Sequence, residues 1–230
     1  NQRKILEACE KAEADSVHPG YGFLSENHEF AELIVANGLN WIGPSPKIIQ
    51  AMGDKLSAKD MLDKAGVPML PSIEIRPETD INDAAKTIGY PVLVKASAGG
   101  GGKGMRVVES PETLVAAVES AQREAKNAFG DDKVFLEKWL ESVKHVEVQI
   151  VGDKHGNILH CFERECSIQR RHQKIIEEAP SPAVHEKLRE ALGKSAIEAA
   201  KTLNYFSTGT VEFLLSEQEF YFLEVNTRLQ

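Results

Sequence analysis

Residues 95 to 106 read Lys-Ala-Ser-Ala-Gly-Gly-Gly-Gly-Lys-Gly-Met-Arg, and this stretch decides the fold. Four consecutive glycines, Gly99 to Gly102, follow an apolar run that ends at Lys95. Because neighbouring glycines cost backbone entropy and pack nothing, they indicate backbone amides that approach a ligand closely. A phosphate chain is the ligand most often held in this way, and Lys95 and Lys103 supply positive charge. The alternative is a flexible surface loop.

The residues around the glycines predict a hairpin flap. A P-loop would place Ser or Thr directly after Lys103, where this chain has Gly104 and Met105. The dinucleotide fingerprint would open a helix, whereas Met105 to Val108 is a second strand-like run. Strand, glycine loop and strand are typical of a flap that lies over phosphates and excludes water.

Composition and charge exclude several classes of protein. The 230 residues are 42% hydrophobic and 27% charged, as in ordinary globular proteins. A net charge of -8 argues against nucleic-acid binding, which usually needs a basic face. No apolar run approaches the ~20 residues of a membrane-spanning helix. The chain reads as a piece of a longer protein, since it opens in a helix-like run and stops directly after a motif.

Three cysteines, Cys9, Cys161 and Cys166, are odd in number and lack metal-ligand spacing. They fit a reducing compartment and are expected only to pack.

The periodicity predicts an α+β or α/β chain in four segments. Residues 1–43 read as helix, loop, helix and short strand, and residues 44–66 as a helical connector. Residues 67–139 form a small α+β unit around the glycine flap, and residues 140–230 form a larger one that is incomplete. The predicted N-caps of three helices are Ser25, Ser45 and Ser181, the last for a helix that starts at Pro182.

The C-terminal residues predict a hairpin with two carboxylates on one face. If residues 217–219 form the loop, Ser216 pairs with Phe220, and Glu212 lies opposite Glu224. Asn226 and Arg228 continue that face by period-two spacing.

Like charges directly opposite each other are destabilising, so Glu212 and Glu224 indicate a divalent cation between them. Oxygen ligands favour Mg²⁺, which normally arrives with nucleotide phosphates. The alternative is a solvated sheet face with two unrelated glutamates. A register slip by one residue would place Glu224 beside Val211 and remove the argument.

A basic cluster lies within six positions of this acidic chain, at Gln169, Arg170, Arg171, His172 and Lys174. A compact anionic ligand explains such a concentration of charge. A solvated loop paired with acidic residues 177 and 178 explains it equally well from composition alone.

A glycine flap, paired metal carboxylates and a basic cluster together resemble the ATP-grasp superfamily. Within it, the sequence is similar to biotin carboxylase over essentially the whole chain. The segments that carry this resemblance are His18 to Glu26, Met52 to Lys55, Lys95 to Arg106, Glu163 to Lys174 and Glu224 to Gln230. The resemblance implies an ATP-grasp fold, preceded by a remnant of the Rossmann-like N-terminal domain of that family.

The resemblance also implies an activity. ATP phosphorylates bicarbonate to carboxyphosphate, and the released CO₂ is captured by biotin on a carrier protein or domain. Mg²⁺ or Mn²⁺ is the expected metal, a carboxyltransferase and a second copy of the full-length protein are the expected partners, and the bacterial cytoplasm or mitochondrial matrix is the expected location. In the family a glutamate base follows the position of Gln230, so this segment alone is expected to bind Mg-ATP without full turnover.

Matching positions imply roles for individual residues. The residues expected to bind ATP are Lys55, Lys95, Gly101, Gly102, Glu137, Lys138, Leu140, His145, Gln169, His172 and Leu214. Those expected to hold the metal are Glu212, Glu224 and Asn226, and those expected to bind bicarbonate are Lys174, Arg228 and Gln230. The residues expected to be catalytic are Arg228, Lys174 and His172.

Two other functions remain open at this stage. Another ATP-grasp ligase, such as carbamoyl phosphate synthetase, would share the flap and the carboxylates and also use bicarbonate, although residues 169–174 favour the biotin enzyme. A non-catalytic module that senses nucleotide is a third possibility, against which the intact carboxylates and Arg228 argue.

Overall fold

The computed structural model describes residues 1–98, 105–170 and 173–230. Its helices are α1 (Gln2–Lys11), α2 (His28–Ala36), α3 (Pro46–Gly53), α4 (Lys55–Lys64), α5 (Ile81–Ile88), α6 (Pro111–Phe129) and α7 (Glu186–Thr202). Its strands are β1 (Ser16–Val17), β2 (Asn40–Trp41), β3 (Ser72–Ile75), β4 (Val92–Ala96), β5 (Arg106–Val108), β6 (Val134–Lys138), β7 (Lys144–Gly152), β8 (Ile158–Arg170), β9 (Gln173–Glu178), β10 (Ser207–Ser216) and β11 (Glu219–Asn226). Gly101, Gly102 and His172, which the sequence assigns to the ATP site, lie outside the described residues.

A four-stranded antiparallel sheet in the order β3-β6-β4-β5 forms the smaller unit. Helices α5 and α6 cover one face, where Ala85, Val94 and Leu114 share one core. The register places Lys95 beside Phe135, and alternation along both strands turns this pair away from that core. The unit thus buries one face and presents charged side chains on the other.

A five-stranded antiparallel sheet in the order β11-β10-β7-β8-β9 forms the larger unit. Its apolar face packs on α7, which is buried through Leu188 and Leu192. On β10, Val211 and Phe213 belong to this core, and Glu212 between them points to the opposite face. Alternation therefore makes the second face of this sheet polar.

The hairpin of β10 and β11 confirms the Glu212–Glu224 pair by a route different from the predicted one. The loop has two residues, so Ser216 pairs with Glu219 and the predicted pairing with Phe220 is wrong. A β-bulge after Glu212 then shifts the register by one residue, which brings Glu224 opposite Glu212.

The bulge has a packing reason. In the observed register, Phe213 lies opposite Phe222, and their ring centres are 6.5 Å apart in an edge-to-face contact. Without a bulge, the two-residue loop would place Glu224 opposite Val211 on the core face. A three-residue loop would instead place Tyr221 and Leu223 there, which would bury a phenol hydroxyl. In the structure that hydroxyl lies at the surface and donates a hydrogen bond to Glu219, at 2.6 Å.

One of the three predicted helix caps is right. Ser45 caps α3, with its side chain accepting from the N–H of Ile48. Ser25 does not cap α2, because residues 22–27 form turns and Asn27 accepts from the N–H of Phe30 at 2.7 Å. Ser181 does not cap α7, because its hydroxyl donates to Glu165 at 2.7 Å and the helix begins only after His185.

None of the helices in the described ranges combines the length and the apolar character needed to cross a bilayer.

Candidate active site

Glu212 lies at the centre of the polar face of the larger sheet, with 3% of its side chain exposed. It is hydrogen-bonded to His145 Nε2, and it accepts hydrogen bonds from Lys174 Nζ and Asn226 Nδ2, each at 2.5 Å. The register also places it directly opposite Glu224 on β11. One buried carboxylate therefore joins three side chains that the sequence placed in the site.

Glu212 and Lys174 each favour the ionised form of the other. Burial alone would raise the pKa of Glu212, but contacts with His145 and Lys174 lower it to about 2. Burial alone would lower the pKa of Lys174, but Glu212 and Glu147 raise it. Both groups are therefore ionised at neutral pH, so the face holds fixed charges rather than neutral acids.

Glu224 has a less favourable environment. Its side chain is 37% exposed, and Lys55 Nζ lies 3.8 Å from its Oε2. Withdrawal from water and the negative charge of Glu212 raise the pKa of its carboxyl. A hard divalent cation binds carboxylate and amide oxygens, and its positive charge would offset the repulsion between Glu212 and Glu224. The donor set of Glu212, Glu224 and Asn226 therefore fits Mg²⁺ or Mn²⁺.

His145, Gln169 and Leu214 lie together, as the expected nucleotide site requires. The Nδ1 atom of His145 is 2.6 Å from Nε2 of Gln169, which also donates to the carbonyl of Cys166 at 2.8 Å. Leu214 pairs with His145 across β10 and β7 and is partly exposed on the same face.

Two residues of this face were missed by the sequence analysis. Glu147 is fully buried, and its Oε1 accepts from Arg164 Nε at 2.7 Å while its Oε2 accepts from Lys174. The alternation of β7 gave a signal, because Glu147 lies two residues after His145 and shares its face. Arg164 is opposite Glu147 on β8.

The described residues of the basic cluster lie at the ends of two paired strands. Strand β8 runs to Arg170, β9 returns from Gln173, and Gln169 pairs with Lys174. This hairpin carries Lys174 over the polar face, where it contacts Glu147 and Glu212. The solvated-loop alternative is therefore wrong for Lys174. Arg171 and His172 lie outside the described residues.

Two glutamates of the same motif anchor the hairpin instead of facing a ligand. Glu163, with 2% exposure, accepts three hydrogen bonds from Arg189 of α7, the shortest at 2.8 Å. Glu165 accepts from Ser181 at 2.7 Å and pairs with Lys144 at 3.0 Å. The contacts with Arg189 and Ser181 hold the long hairpin against α7 and the segment that leads into it.

The three cysteines are free thiols. Cys166 lies near Glu147 and Glu177, with the possible ligand atoms within 4.8 Å of one another. Burial and the charge of Glu147 raise the pKa of Cys166 to about 12, so its thiol stays protonated. This agrees with the expectation that the residue packs.

Lys55 stands at the start of α4, between the two sheets. Asp54 caps the helix and accepts a hydrogen bond from Ser97 at 3.0 Å, and Asp54 also forms an isolated bridge with Ala98. These contacts tie the helix start to the end of β4, directly before the glycine segment. Lys55 thereby reaches Glu224, while Lys95 contacts Glu137.

The segment from Glu137 to Leu140 begins in β6 of the smaller sheet and continues just beyond it. The Glu137 side chain is 2% exposed and forms ion pairs with Lys95 and Lys59. Of these two lysines, the sequence analysis missed Lys59. Lys138 donates its N–H to Pro71 at 2.9 Å, and its ammonium group caps the end of α5. The N–H and ammonium of Lys138 are thus hydrogen-bonded within the protein.

Arg228 connects the C-terminal strand to the N-terminal segment. Its Nε lies 3.6 Å from Glu26, which also accepts from the N–H of Thr227 at 3.3 Å. Arg228 NH2 approaches the Asn226 oxygen at 3.4 Å, and NH1 approaches the Gln230 side chain at 3.5 Å. Glu26 was missed because 201 positions separate it from Thr227.

Two protein-family models match the sequence of this chain. Residues 54–230 match the model "Carbamoyl-phosphate synthase L chain, ATP binding domain". Residues 1–49 match the model "Biotin carboxylase, N-terminal domain". The chain belongs to the biotin carboxylase family. Its fold is ATP-grasp, as the resemblance implied.

Individual members of the biotin carboxylase family are similar over the whole chain. A pyruvate carboxylase subunit of Methanothermobacter thermautotrophicus is 51% identical over 230 residues, which cover 99% of this chain and 47% of that protein. The biotin carboxylase–β,γ-ATP complex from Campylobacter jejuni superposes with a TM-score of 0.94 at 47% identity, over 100% of this chain and 52% of the other.

A third similar protein is the biotin carboxylase domain dimer of 2-oxoglutarate carboxylase from Hydrogenobacter thermophilus, in complex with MgADP, ADP and bicarbonate. It superposes with a TM-score of 0.92 at 46% identity, over 100% of this chain and 51% of that one. The chain therefore spans about half the length of these three relatives.

Proposed function

We propose that this chain forms the nucleotide-binding part of a biotin carboxylase. The complete enzyme would couple ATP hydrolysis to carboxylation of biotin on a carrier, using bicarbonate and passing through carboxyphosphate. This is the first half-reaction of a biotin-dependent acyl-CoA or pyruvate carboxylase, and it makes the enzyme a ligase that forms a C–N bond.

The observation that carries the proposal is the set of contacts around Glu212. His145, Lys174 and Asn226 bond to this buried carboxylate, and Glu224 lies opposite it. Phosphoryl transfer depends on positioning and on neutralising charge more than on covalent chemistry by the protein. A rigid face with fixed ammonium and carboxylate groups supplies both.

The nucleotide would lie between the two sheets. Lys55 and Lys95 would contact its phosphates, with Gly101 and Gly102 in the flap above them. We place the base beside Glu137, Lys138 and Leu140, and the ribose beside His145. Gln169, His172 and Leu214 would complete the nucleotide side. Because the Lys138 N–H bonds to Pro71, its contribution to the base would come from its other atoms.

Glu212, Glu224 and Asn226 would hold Mg²⁺ or Mn²⁺. The metal would supply neutralisation of the phosphate charge and a fixed orientation of the phosphate oxygens. Glu224 is the better first ligand, because both Glu212 oxygens already hold hydrogen bonds. Asn226 donates to Glu212 through its nitrogen, so its oxygen, which Arg228 NH2 approaches at 3.4 Å, would be the donor atom for the cation.

Lys174, Arg228 and Gln230 would bind bicarbonate. Bicarbonate is a poor nucleophile, so these groups would act mainly by orienting one of its oxygens toward the terminal phosphorus. Arg228 would also lie close to the biotin ring, and Lys174, His172 and Arg228 are the groups we place nearest the reacting atoms. Glu26 holds the Arg228 side chain from the N-terminal segment.

The organisation of the complete protein is part of the proposal. Residues 1–43 would be the end of an N-terminal domain, 44–66 a connector, 67–139 the small ATP-grasp subdomain, and 140–230 the first part of the large one. Partners would be a biotin carrier, a carboxyltransferase and a second copy of the protein. Free thiols fit a reducing compartment, either the bacterial cytoplasm or the mitochondrial matrix.

The test is ADP release by the full-length protein with Mg²⁺, ATP and bicarbonate, with and without free biotin. Strong stimulation by biotin is expected. Release that needs bicarbonate but ignores biotin would instead indicate another ATP-grasp ligase, such as a carbamoyl phosphate synthetase. Bound ATP without release would indicate a regulatory module.

A further inference from the structure

One buried carboxylate holds two lysines where α4 meets the smaller sheet. Glu137 Oε1 accepts a hydrogen bond from Lys59, and Oε2 accepts one from Lys95. The side chains of the three residues are 2%, 8% and 10% exposed, in that order. The cluster thus carries more cationic than anionic groups away from water, an arrangement that becomes favourable when a further anion joins it.

The two lysines reach Glu137 from different elements. Lys95 lies near the end of β4, two residues before Ser97, which is bonded to the start of α4. Lys59 comes from α4, and its Nζ stands 5.6 Å from the ring centre of Phe135. The contact with this ring gives Lys59 a second reason to stay in place.

The cleft beside Lys59 does not suit a phosphate. It has a volume of about 500 Å³ and is lined by residues of α4 and the segment through β3, with the acidic side chains Asp60, Asp63 and Glu74. Arg76, also in the lining, is already paired with Glu74 at 2.6 Å. A phosphate chain would be repelled there, so it would meet the cluster from the side of Lys95.

We propose that Lys59 is the permanent counter-ion of Glu137, which allows Lys95 to move from Glu137 to a phosphate oxygen of the nucleotide. This inference rests on the proposed function, because it needs a nucleotide beside Lys95. Lys95 would exchange one anionic partner for another, and Glu137 would keep one ammonium partner throughout. Lys59 is thus a positioning residue, since it acts through Glu137 and Lys95 and does not touch the ligand.

The cost of losing Lys59 follows from burial. Burial raises the pKa of Glu137, but Lys95 and Lys59 together lower it, so the carboxylate stays charged. In the absence of Lys59, any phosphate that drew Lys95 away would leave a buried carboxylate without a partner. Removal of Lys59 would therefore weaken binding of the phosphates and leave binding of the base and ribose unchanged.

The test compares ATP with adenosine, which has no phosphate, as ligands of the full-length protein in isothermal titration calorimetry with Mg²⁺. Lys59→Met should weaken ATP binding about tenfold or more and adenosine binding less than about twofold. Lys59→Arg should restore most of the ATP affinity. Lys64→Met, on the same helix with 73% side-chain exposure, is the matched control and should change neither affinity.

A second comparison uses Glu137→Gln as the background and keeps the proposal testable if Lys59→Met alone does not fold. Adding Lys59→Met there should change ATP affinity less than about twofold, because the carboxylate through which Lys59 acts is gone. Equal losses for ATP and adenosine in Lys59→Met, or a tenfold loss in the Glu137→Gln background, would overturn the inference. Failure of the unsubstituted protein to bind ATP would refute the proposed function instead.

Discussion

Glu212→Gln should destabilise the protein strongly at neutral pH. Contacts with His145 and Lys174 outweigh burial and hold the pKa of Glu212 at about 2, against an ordinary value of 4.5. Each pKa unit corresponds to about 1.4 kcal/mol, so the ionised carboxylate contributes about 3 kcal/mol to the free energy of unfolding at pH 7. Glutamine keeps the shape but removes the charge that Lys174 needs, and it should cost about that amount.

The contribution of Glu212 to the free energy of unfolding should decrease as the pH falls. A carboxyl whose pKa is lower in the folded state stabilises the fold above its unfolded pKa, and loses that contribution as the pH falls from about 4.5 toward about 2. The difference between the unsubstituted protein and Glu212→Gln should therefore shrink from about 3 kcal/mol at pH 7 to about 1.5 kcal/mol at pH 3. Urea denaturation at the two pH values, followed by tryptophan fluorescence, measures it.

Glu224→Gln is the matched control because it should have the opposite effect. Withdrawal from water and the charge of Glu212 raise the pKa of Glu224, so its ionised form opposes folding once the pH rises above the ordinary value. Without metal, Glu224→Gln should leave stability unchanged or increase it. Added Mg²⁺ should then stabilise the unsubstituted protein and not this variant.

Two results would refute this reasoning about Glu212 and Glu224. A loss from Glu212→Gln that is equally large at pH 3 and pH 7 would mean that shape, not charge, matters at that position. Destabilisation by Glu224→Gln in metal-free solution would mean that Glu224 is already well paired by Lys55, and the case for a cation beside it would be lost.

Three further substitutions probe other parts of the structure. Arg189→Met should lower the melting temperature by several degrees, because it leaves Glu163 buried without its cation, and Arg189→Lys should recover part of the loss. Gly209→Ala should cost about 1–3 kcal/mol in urea denaturation, because an added Cβ would clash with the hydroxyl of Tyr205. Arg228→Ala in the full-length protein should abolish biotin-stimulated ADP release and leave ATP affinity near normal, as measured by calorimetry.

Each of these three predictions has an outcome that would count against it. An unchanged melting temperature in Arg189→Met would show that water compensates Glu163. Undiminished stability of Gly209→Ala would show that Tyr205 has room to move. Biotin-stimulated turnover by Arg228→Ala would remove that residue from the proposed chemistry.

Much of the site could be predicted because its signals are local. The carboxylate pair follows from alternation along two adjacent strands, whereas two of the three predicted helix caps were wrong. The prediction for Glu212 and Glu224 survived a wrong loop length, because the face of a strand is set by which residues are apolar. Burying two phenylalanines in place of Tyr221 and Leu223 decided the register near the turn.

The missed residues are those whose partners are distant in sequence. Lys59 and Glu137 are 78 positions apart, and Glu26 and Thr227 are 201 apart. Lys59 occupies a helix position where a solvated lysine is the ordinary expectation, but its side chain is buried in contact with Glu137 and Phe135 of β6. Glu147 was within reach, because it shares a strand face with His145.

Because of the bulge after Glu212, the pairing of the two carboxylates does not depend on the length of the hairpin turn. A two-residue loop with a bulge and a three-residue loop without one both bring Glu212 opposite Glu224. Residues 217 and 218 can therefore be exchanged, or the loop lengthened by one, while the two oxygen donors keep their spacing. An engineer could insert a reporter at this tip, and divergent relatives could vary it, with the chemistry at the other end of the hairpin left undisturbed.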